Sequence, residues 1–516
     1  MDTTNGTPRV ALRVALLLAG ALAGVKLVAH LLTTGAFGYG FFVDELYFLA
    51  CAEHLDWGYV DMPPLLPAVT AVVRATLGDS LAAVRLLPSL AGAALVLMTG
   101  LLARDLGGRR FAVGLASLTV LAAPIFWAYH AYHSMNAFEP LVWTGCAWLL
   151  IRLLREERHR LWLWFGLLVG IGLLTKHTTA VFGASVVLGL LATTDRRQLA
   201  SRWAWLGGAV ALALFLPNLL WMAGHGFPHL EMLANIRANG RDVELTPFAF
   251  LGQQVLFLNP MTAPVWLAGL VSLLTGGARR FRALGIAFLA FMALMLLTGG
   301  RPYYPAPFYP TLLAFGAVAV ERWLAGRAGS WPAAVYAVAV ATSGILLAPL
   351  FLPCLPPETL IRYSRLTGIG QPRIENHRLG PLPQLFADRF GWPELAAEVA
   401  RVYRALPQED RERAAIFGQN YGQAGAVDLF GPELGLPKAI SGHLTYWHWG
   451  PGTTTGEVVI VLAGDRETLE RYFESVDVAG RVEHPYSMPY EHFDVWVCRG
   501  LKIPMAELWP LVKAYH

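Results

Sequence analysis

The chain has 516 residues, of which 55% are hydrophobic and only 15% charged, and 40 Lys and Arg against 36 Asp and Glu leave a formal net charge of +4. Soluble domains carry about 25% charged residues; this deficit, with a mean hydropathy of +0.47, excludes an ordinary soluble protein and points to many helices solvated by lipid. The small net charge gives no reason to expect a nucleic-acid partner, and four cysteines without CxxC spacing (Cys51, Cys146, Cys354, Cys498) argue against a structural zinc site or a disulfide scaffold.

At the N-terminus, Arg9 and Arg13 precede an apolar run from Val14 to Leu32. The run is long enough to span a bilayer and no A-x-A site follows, so it reads as a retained first helix rather than a cleaved signal. Further apolar runs lie at 82–103, 111–130, 136–151, 161–175, 178–193, 203–222, 248–274, 281–298, 304–321 and 331–352. With the first, at 10–34, they predict about eleven spans. The two runs within 161–193 are short.

The loop 35–81 between the first two spans holds Asp44, Glu45, Glu53, His54, Asp56 and Asp61, then Pro63-Pro64. Leu46, Leu49, Cys51 and Leu55 share one helical face of 44–56, which predicts a helix lying at the interface. The stretch 65–77, apolar but interrupted by Arg74, is expected to lie shallow.

Basic residues decide orientation. One set of loops carries Arg9 and Arg13; Arg104, Arg109 and Arg110; Arg152, Arg155, Arg158 and Arg160; Arg196, Arg197 and Arg202; Arg279, Arg280 and Arg282; Arg322 and Arg327. The alternate loops carry far fewer: Lys176, Arg237, Arg241 and Arg301. This alternation predicts a cytoplasmic N-terminus, an odd number of spans, and a last span that exits outside. After about residue 355 charges and turn residues return. Helix-like stretches at 393–405 and 465–474 alternate with strand-like ones at 456–462 and 493–498, predicting a small α/β domain over 355–516 outside the membrane, behind a membrane domain over 1–354.

That orientation puts Asp44-Glu45, the segment His133 to Glu139, Lys176-His177 and Arg301-Pro302-Tyr303-Tyr304 on the same outer face. Ionisable residues at membrane level are rare and usually line a cavity. Acids beside bases suit a reaction that takes a proton from a hydroxyl and releases an anion. Each residue also has a plain structural role open to it. Asp44 and Glu45 suit a helix start, and Glu139 does too. Lys176 and Arg301 suit snorkelling, and Tyr303 and Tyr304 an aromatic belt. The pairs His130/His133 and His225/His229 read as polar helix ends rather than metal sites. Gly418, Gly422 and Gly425 lack GxGxxG spacing. The cluster His443, Tyr446, Trp447, His448 and Trp449 reads first as packing, and second as a surface for sugar rings.

The runs Asp44-Glu45-Leu46-Tyr47-Phe48, Asp61-Met62-Pro63-Pro64-Leu65 and Met135-Asn136-Ala137-Phe138-Glu139-Pro140-Leu141 resemble the bacterial branch of the dolichyl-phosphate-mannose protein mannosyltransferase superfamily. These are GT-C fold glycosyltransferases of glycosyltransferase family 39 type, related to the lipid A aminoarabinose transferase. Phe390-Gly391-Trp392, Gln419-Asn420-Tyr421-Gly422, Ser441-Gly442-His443 and Trp449-Gly450-Pro451 extend the resemblance over nearly the whole chain. It implies a mainly α, polytopic GT-C fold and inverting transfer of a sugar from a polyprenyl-phosphate donor. The acceptor would be a hydroxyl of a protein, lipid or glycan on the outer face of the cytoplasmic (inner) membrane.

By that resemblance Asp44 is the general base, Glu45 positions the acceptor or Asp44, and Glu139 is the second acid, with Asn136 the weaker match for that role. Lys176 and Arg301 would hold the phosphate. Tyr304, beside Tyr303, would bind the lipid phosphate, and His177 is grouped with these binding residues. Many relatives place a Lys before the Pro-Pro of the first loop; Met62 stands there in this chain, and Arg74 or Arg85 would have to compensate. Some relatives bind a divalent metal, which Asp44 and Glu139 with a nearby His could ligate, though the sequence does not require it. The rival reading is a membrane transporter or lipid flippase of envelope glycan precursors, and a third is a non-catalytic envelope scaffold. Acids at span ends on one side favour the enzyme, because transporters place ionisable residues near the midplane.

Overall fold

The computed structural model describes residues 7–325, 331–369 and 375–516, side chains from residue 13 onward. Arg327, counted above among the basic loop residues, lies outside the described residues. The chain is mainly helical, and its contacts divide it into two units: Met1–Thr34, Arg85–Leu219 and Glu244–Cys354 form the first, and Gly35–Val84, Leu220–Val243 and Leu355–His516 the second.

The first unit is a helix bundle. Every apolar run expected to span is helical, but not every run is one straight helix. Among the described residues, six helices are long and apolar enough to cross a membrane, and up to nine spans result if each of three bent pairs counts as one. The bent pairs are Arg110–Ala122 with Pro124–His130, at 64°, Thr178–Leu191 with Thr194–Ala200, at 119°, and Pro247–Phe257 with Pro260–Leu274, at 90°. Pro124 and Pro260 explain two of the bends, since proline has no N–H to continue the ladder and its ring displaces the preceding turn. Leu161–Thr175 and Tyr309–Ala325 are helices of only 15 and 17 residues.

Small residues let helices approach closely where lipid gives no hydrophobic drive. Between Ala263–Leu274 and Tyr309–Ala325 a Cβ on Gly269 would collide with the Leu312 carbonyl, and one on Gly316 with that of Val265. The bend at Pro124 is braced by Lys26, which is fully buried in the first helix, Thr7–Thr33. Its side-chain nitrogen donates to the Phe126 carbonyl at 2.9 Å and lies 3.6 Å from the Trp127 ring centroid, contacts that give this buried polar group its partners.

The second unit holds a five-stranded sheet: β1 (Ala414–Gly418), β2 (Ala439–Ile440), β3 (Val458–Leu462), β4 (Phe473–Val482) and β5 (Phe493–Leu501), in the order β2-β1-β3-β5-β4. β1 runs parallel to β2 and β3; β3 and β4 run antiparallel to β5. The parallel β1–β2 pair needs a crossover, supplied by the helix Tyr421–Leu434. The core packs Val459, Val461, Phe473, Val476 and Trp496. The expected helix over 465–474 is Arg466–Tyr472 and yields to β4 at Phe473, whose Phe-x-x-Val spacing hides the alternation expected of a strand.

The first loop joins this unit through two helices, Val43–Glu53, over most of the stretch 44–56 read as a helix, and Leu65–Leu77. Val43–Glu53 packs on Tyr421–Leu434, where a Cβ on Gly425 would meet the Leu46 backbone at 2.9 Å and one on Gly422 the Val43 side chain at 2.5 Å. Larger residues there would push the two helices apart.

Candidate functional site

Two polar groups, one in each unit, contain the candidate site residues singled out by sequence except His177. In the first unit the helix Met135–Glu156 begins at Ser134, and Asn136 and Glu139 are three residues apart, on one helical face. The run 161–191 breaks at Lys176-His177, where Lys176 is extended (φ −159°, ψ 134°) between Leu161–Thr175 and Thr178–Leu191. This break turns the Lys176 side chain toward Asn136 and Glu139. Its ammonium donates to Asn136 Oδ1 at 2.7 Å and to Glu139 Oε2 at 3.3 Å. Thr178 donates its hydroxyl to Glu139 Oε1. Glu139 is 1% exposed and Lys176 14%. Burying a lone charge would cost several kcal/mol, so this pairing is what allows the ions to remain.

The aromatic side of this group comes from the loop after Arg282–Thr298. That helix ends at Gly299, whose left-handed backbone (φ 64°) is the usual stop for a helix. The loop is tied down by Gln254, which donates to the Pro302 carbonyl at 2.7 Å, and by Tyr129, whose hydroxyl donates to the Tyr303 carbonyl at 2.9 Å. The Lys176 ammonium lies 4.7 Å from the Tyr304 ring centroid and 5.7 Å from that of Tyr303, within cation–π range. Arg301 donates to the Tyr303 hydroxyl at 3.2 Å. Asn136, Glu139, Lys176, Arg301, Tyr303 and Tyr304 are thus one connected group. His177 points elsewhere, with Nε2 3.2 Å from Asn218 Oδ1 and its ring against Phe215. Thr178 was not anticipated; a hydroxyl two residues past the lysine in the polar break was its only signal.

In the second unit Asp44 and Glu45 occupy the first turn of Val43–Glu53, where carboxylates suit the helix dipole. The two side chains do different things. Glu45 is fully buried and caps its own helix, its Oε2 accepting the Phe42 N–H at 2.8 Å. Asp44 is partly exposed, and its Oδ1 accepts the Tyr421 hydroxyl at 2.7 Å. Tyr421 opens the helix after β1 and is fixed twice more. Its N–H donates to His443 Nδ1 at 3.1 Å, and its ring stacks on His443 at 5.0 Å. Because Nδ1 accepts, the His443 proton is on Nε2, which donates to the His516 carbonyl at 2.9 Å. Burial pushes His443 down to about 3, so it is neutral.

A second carboxylate layer lies behind this turn. The Tyr47 hydroxyl donates to Asp61 Oδ1 at 2.9 Å and lies 2.6 Å from the Thr445 hydroxyl. Burial pushes Asp61 up to about 7, against the opposite pull of the Tyr47 hydrogen bond. Glu491 is also pushed up to about 7 by burial, although Gln423 and Asn420 both donate to it at 2.9 Å. Asp388, whose Oδ1 accepts the Tyr490 hydroxyl, is raised for the same reason. Among the described residues, no group of three or more His, Cys, Asp and Glu could hold a metal ion.

Known proteins resemble this chain at several levels. The family model described as dolichyl-phosphate-mannose-protein mannosyltransferase matches residues 61–221. The lipopolysaccharide core galacturonosyltransferase RgtB of Rhizobium johnstonii is 25% identical over 287 residues, covering 53% of this chain and 55% of that protein. The chain therefore spans about half the length of this curated relative. ArnT from Cupriavidus metallidurans bound to undecaprenyl phosphate superposes with a TM-score of 0.59 at 17% identity, over 92% of this chain and 97% of that one. The Archaeoglobus fulgidus oligosaccharyltransferase complex with zinc and sulfate gives a TM-score of 0.51 at 13% identity, over 80% of this chain and 61% of that one. At such low identities the two structures establish the fold, and it is the GT-C fold expected from sequence.

Proposed function

We propose that this chain, a multi-pass protein of GT-C fold related to ArnT and to the dolichyl-phosphate-mannose-protein mannosyltransferases, is a membrane glycosyltransferase. It moves a sugar from a polyprenyl-phosphate donor to an acceptor hydroxyl on the outer face of the cytoplasmic membrane. The N-terminus is cytoplasmic and the segment after residue 355 is extracytoplasmic.

The observation that carries the reading is the Lys176 cradle. Two of the three ammonium hydrogens go to Asn136 and Glu139, and the cation faces Tyr304. A cation already oriented and largely shielded from water stabilises a phosphate leaving group without reorganising when charge develops. Arg301, fixed on Tyr303, supplies the second positive charge, and Tyr304 contacts the lipid phosphate. Asp44 takes the acceptor proton. The acceptor oxygen bonds to the anomeric carbon as the carbon–oxygen bond to phosphate breaks, the sugar inverts, and polyprenyl phosphate leaves. Glu45 holds the helix that presents Asp44, Tyr421 orients the carboxylate, and Glu139 orients Lys176.

The relative RgtB is named for transfer of galacturonic acid to lipopolysaccharide core, which makes a glycolipid acceptor the first to assay. Purified protein in proteoliposomes with a radiolabelled polyprenyl-phosphate sugar tests the reading. Transfer of label that Asp44→Asn abolishes supports it. The three bent helix pairs are the feature that favours the transporter reading, since broken helices often form transport sites. Flux of the donor across the bilayer with no covalent product would reverse the choice.

A further inference from the structure

On the arginine-rich side of the first unit, the turn before Leu161–Thr175 and the start of Arg202–Gly224 border an open cavity of about 350 Å³ lined by Arg158, His159, Arg160, Leu161, Trp164 and Trp203. The Arg160 guanidinium lies 5.5 Å from the Trp203 ring centroid, and that of Arg202 lies 5.2 Å from it. Both contacts orient the cations without neutralising them. His159 Nδ1 is 3.1 Å from Gln198 Oε1. Arg158 pairs with Glu156 at 3.1 Å, but Glu156 is shared with Arg152 and Arg155. In the two segments that supply or adjoin this lining, 156–160 and 195–202, Arg158, Arg160, Arg196, Arg197 and Arg202 outnumber Glu156, Glu157 and Asp195. The floor is apolar, and Trp164 is 61% exposed.

We propose that this cavity binds the phosphodiester headgroup of an anionic phospholipid in the leaflet on the arginine-rich side, which the charge bias makes cytoplasmic. The arginines meet the phosphate. The amides of Leu161, Trp162 and Leu163 do not, because they already donate to the carbonyls of Arg158, His159 and Arg160. Leu161 and the two tryptophans give the glycerol and upper acyl chains an apolar wall at the level where tryptophan normally sits. A soluble anion would gain nothing from that wall, which is why a lipid is the better occupant. Basic pockets between helices on the cytoplasmic side recognise lipid headgroups in this way. The site stands apart from the Lys176 group and does not rest on the proposed transfer reaction.

Native mass spectrometry of the full chain released from nanodiscs tests it, using phosphatidylglycerol against phosphatidylcholine. The wild type retains phosphatidylglycerol preferentially. Arg158→Gln with Arg160→Gln lowers that retention by roughly fivefold for each arginine removed, and Trp164→Ala lowers it without changing charge. Arg109→Gln with Arg110→Gln, on the same side but outside the cavity, leaves it intact. Equal loss in that control pair would mean a general surface-charge effect and overturn the site. Full displacement of the lipid by inorganic phosphate would overturn the lipid assignment.

Discussion

The Lys176 ammonium lies 3.3 Å from Glu139 Oε2, in a pair where the acid is 1% exposed and the base 14%. The carboxylate has a second donor in Thr178, and the ammonium a second acceptor in Asn136. Each ion is therefore held by more than its partner, and the break at residues 176–177 is what brings them together.

Removing one member of this pair strands the other. Glu139→Ala is expected to cost about 3 kcal/mol of stability, because a buried ammonium loses its counter-ion. Lys176→Met is expected to be milder, since its side chain keeps part of the packing and Thr178 still donates to Glu139. It should still weaken binding of polyprenyl phosphate by about tenfold or more. Thermal unfolding in detergent and titration with the lipid phosphate measure the two effects.

Neighbouring acids in the first loop should separate cleanly. Glu45→Ala loses the bond to the Phe42 N–H and is expected to cost about 1 kcal/mol. Glu45→Gln keeps an acceptor oxygen, so its activity is expected to stay within a few-fold of wild type. Asp44→Asn keeps an acceptor for Tyr421 but cannot take a proton, and its turnover is expected to fall by about 10²–10⁴. Initial rates with melting temperatures for the three variants check this.

Asp61 gives the second unit a pH dependence of known sign. Its folded value, about 7, is raised above that of an unfolded chain, about 4. The folded state therefore binds more protons between these values. Stability from this group is fully present below about pH 4 and is lost as pH rises through about 7. Glu491 acts in the same direction. Asp61→Asn stays neutral and can still accept from Tyr47, so its melting temperature should decline less between pH 5 and 8 than that of wild type. A parallel decline would show that Asp61 is not the titrating group.

Much of this was legible in the sequence, and the rest was not for physical reasons. Asn136 and Glu139 could be read as neighbours because three residues is nearly one helical turn, and Lys176 stood out as a charge in an apolar run. The tyrosines at 303 and 304 were marked, but their contact with Lys176 depends on Tyr129 and Gln254 anchoring the loop from distant helices. Hydropathy counts apolar residues and is blind to direction, so the bends at Pro124 and Pro260 do not register as breaks in a run. In the sequence Tyr421 is visible only as part of the motif Gln419-Asn420-Tyr421-Gly422. Its bond to Asp44 joins residues 377 positions apart and depends on Gly422 and Gly425 letting two helices close. A capping role for Glu45 is open to it from sequence, and its side chain makes that bond.

The most direct test is transfer of label from a polyprenyl-phosphate sugar by purified protein in proteoliposomes, wild type beside Asp44→Asn, with product anomer determined by NMR. The account predicts covalent product of inverted anomeric configuration from the wild type and almost none from a variant that still folds and binds polyprenyl phosphate. Undiminished transfer by a folded Asp44→Asn protein, or product with retained configuration, would contradict it.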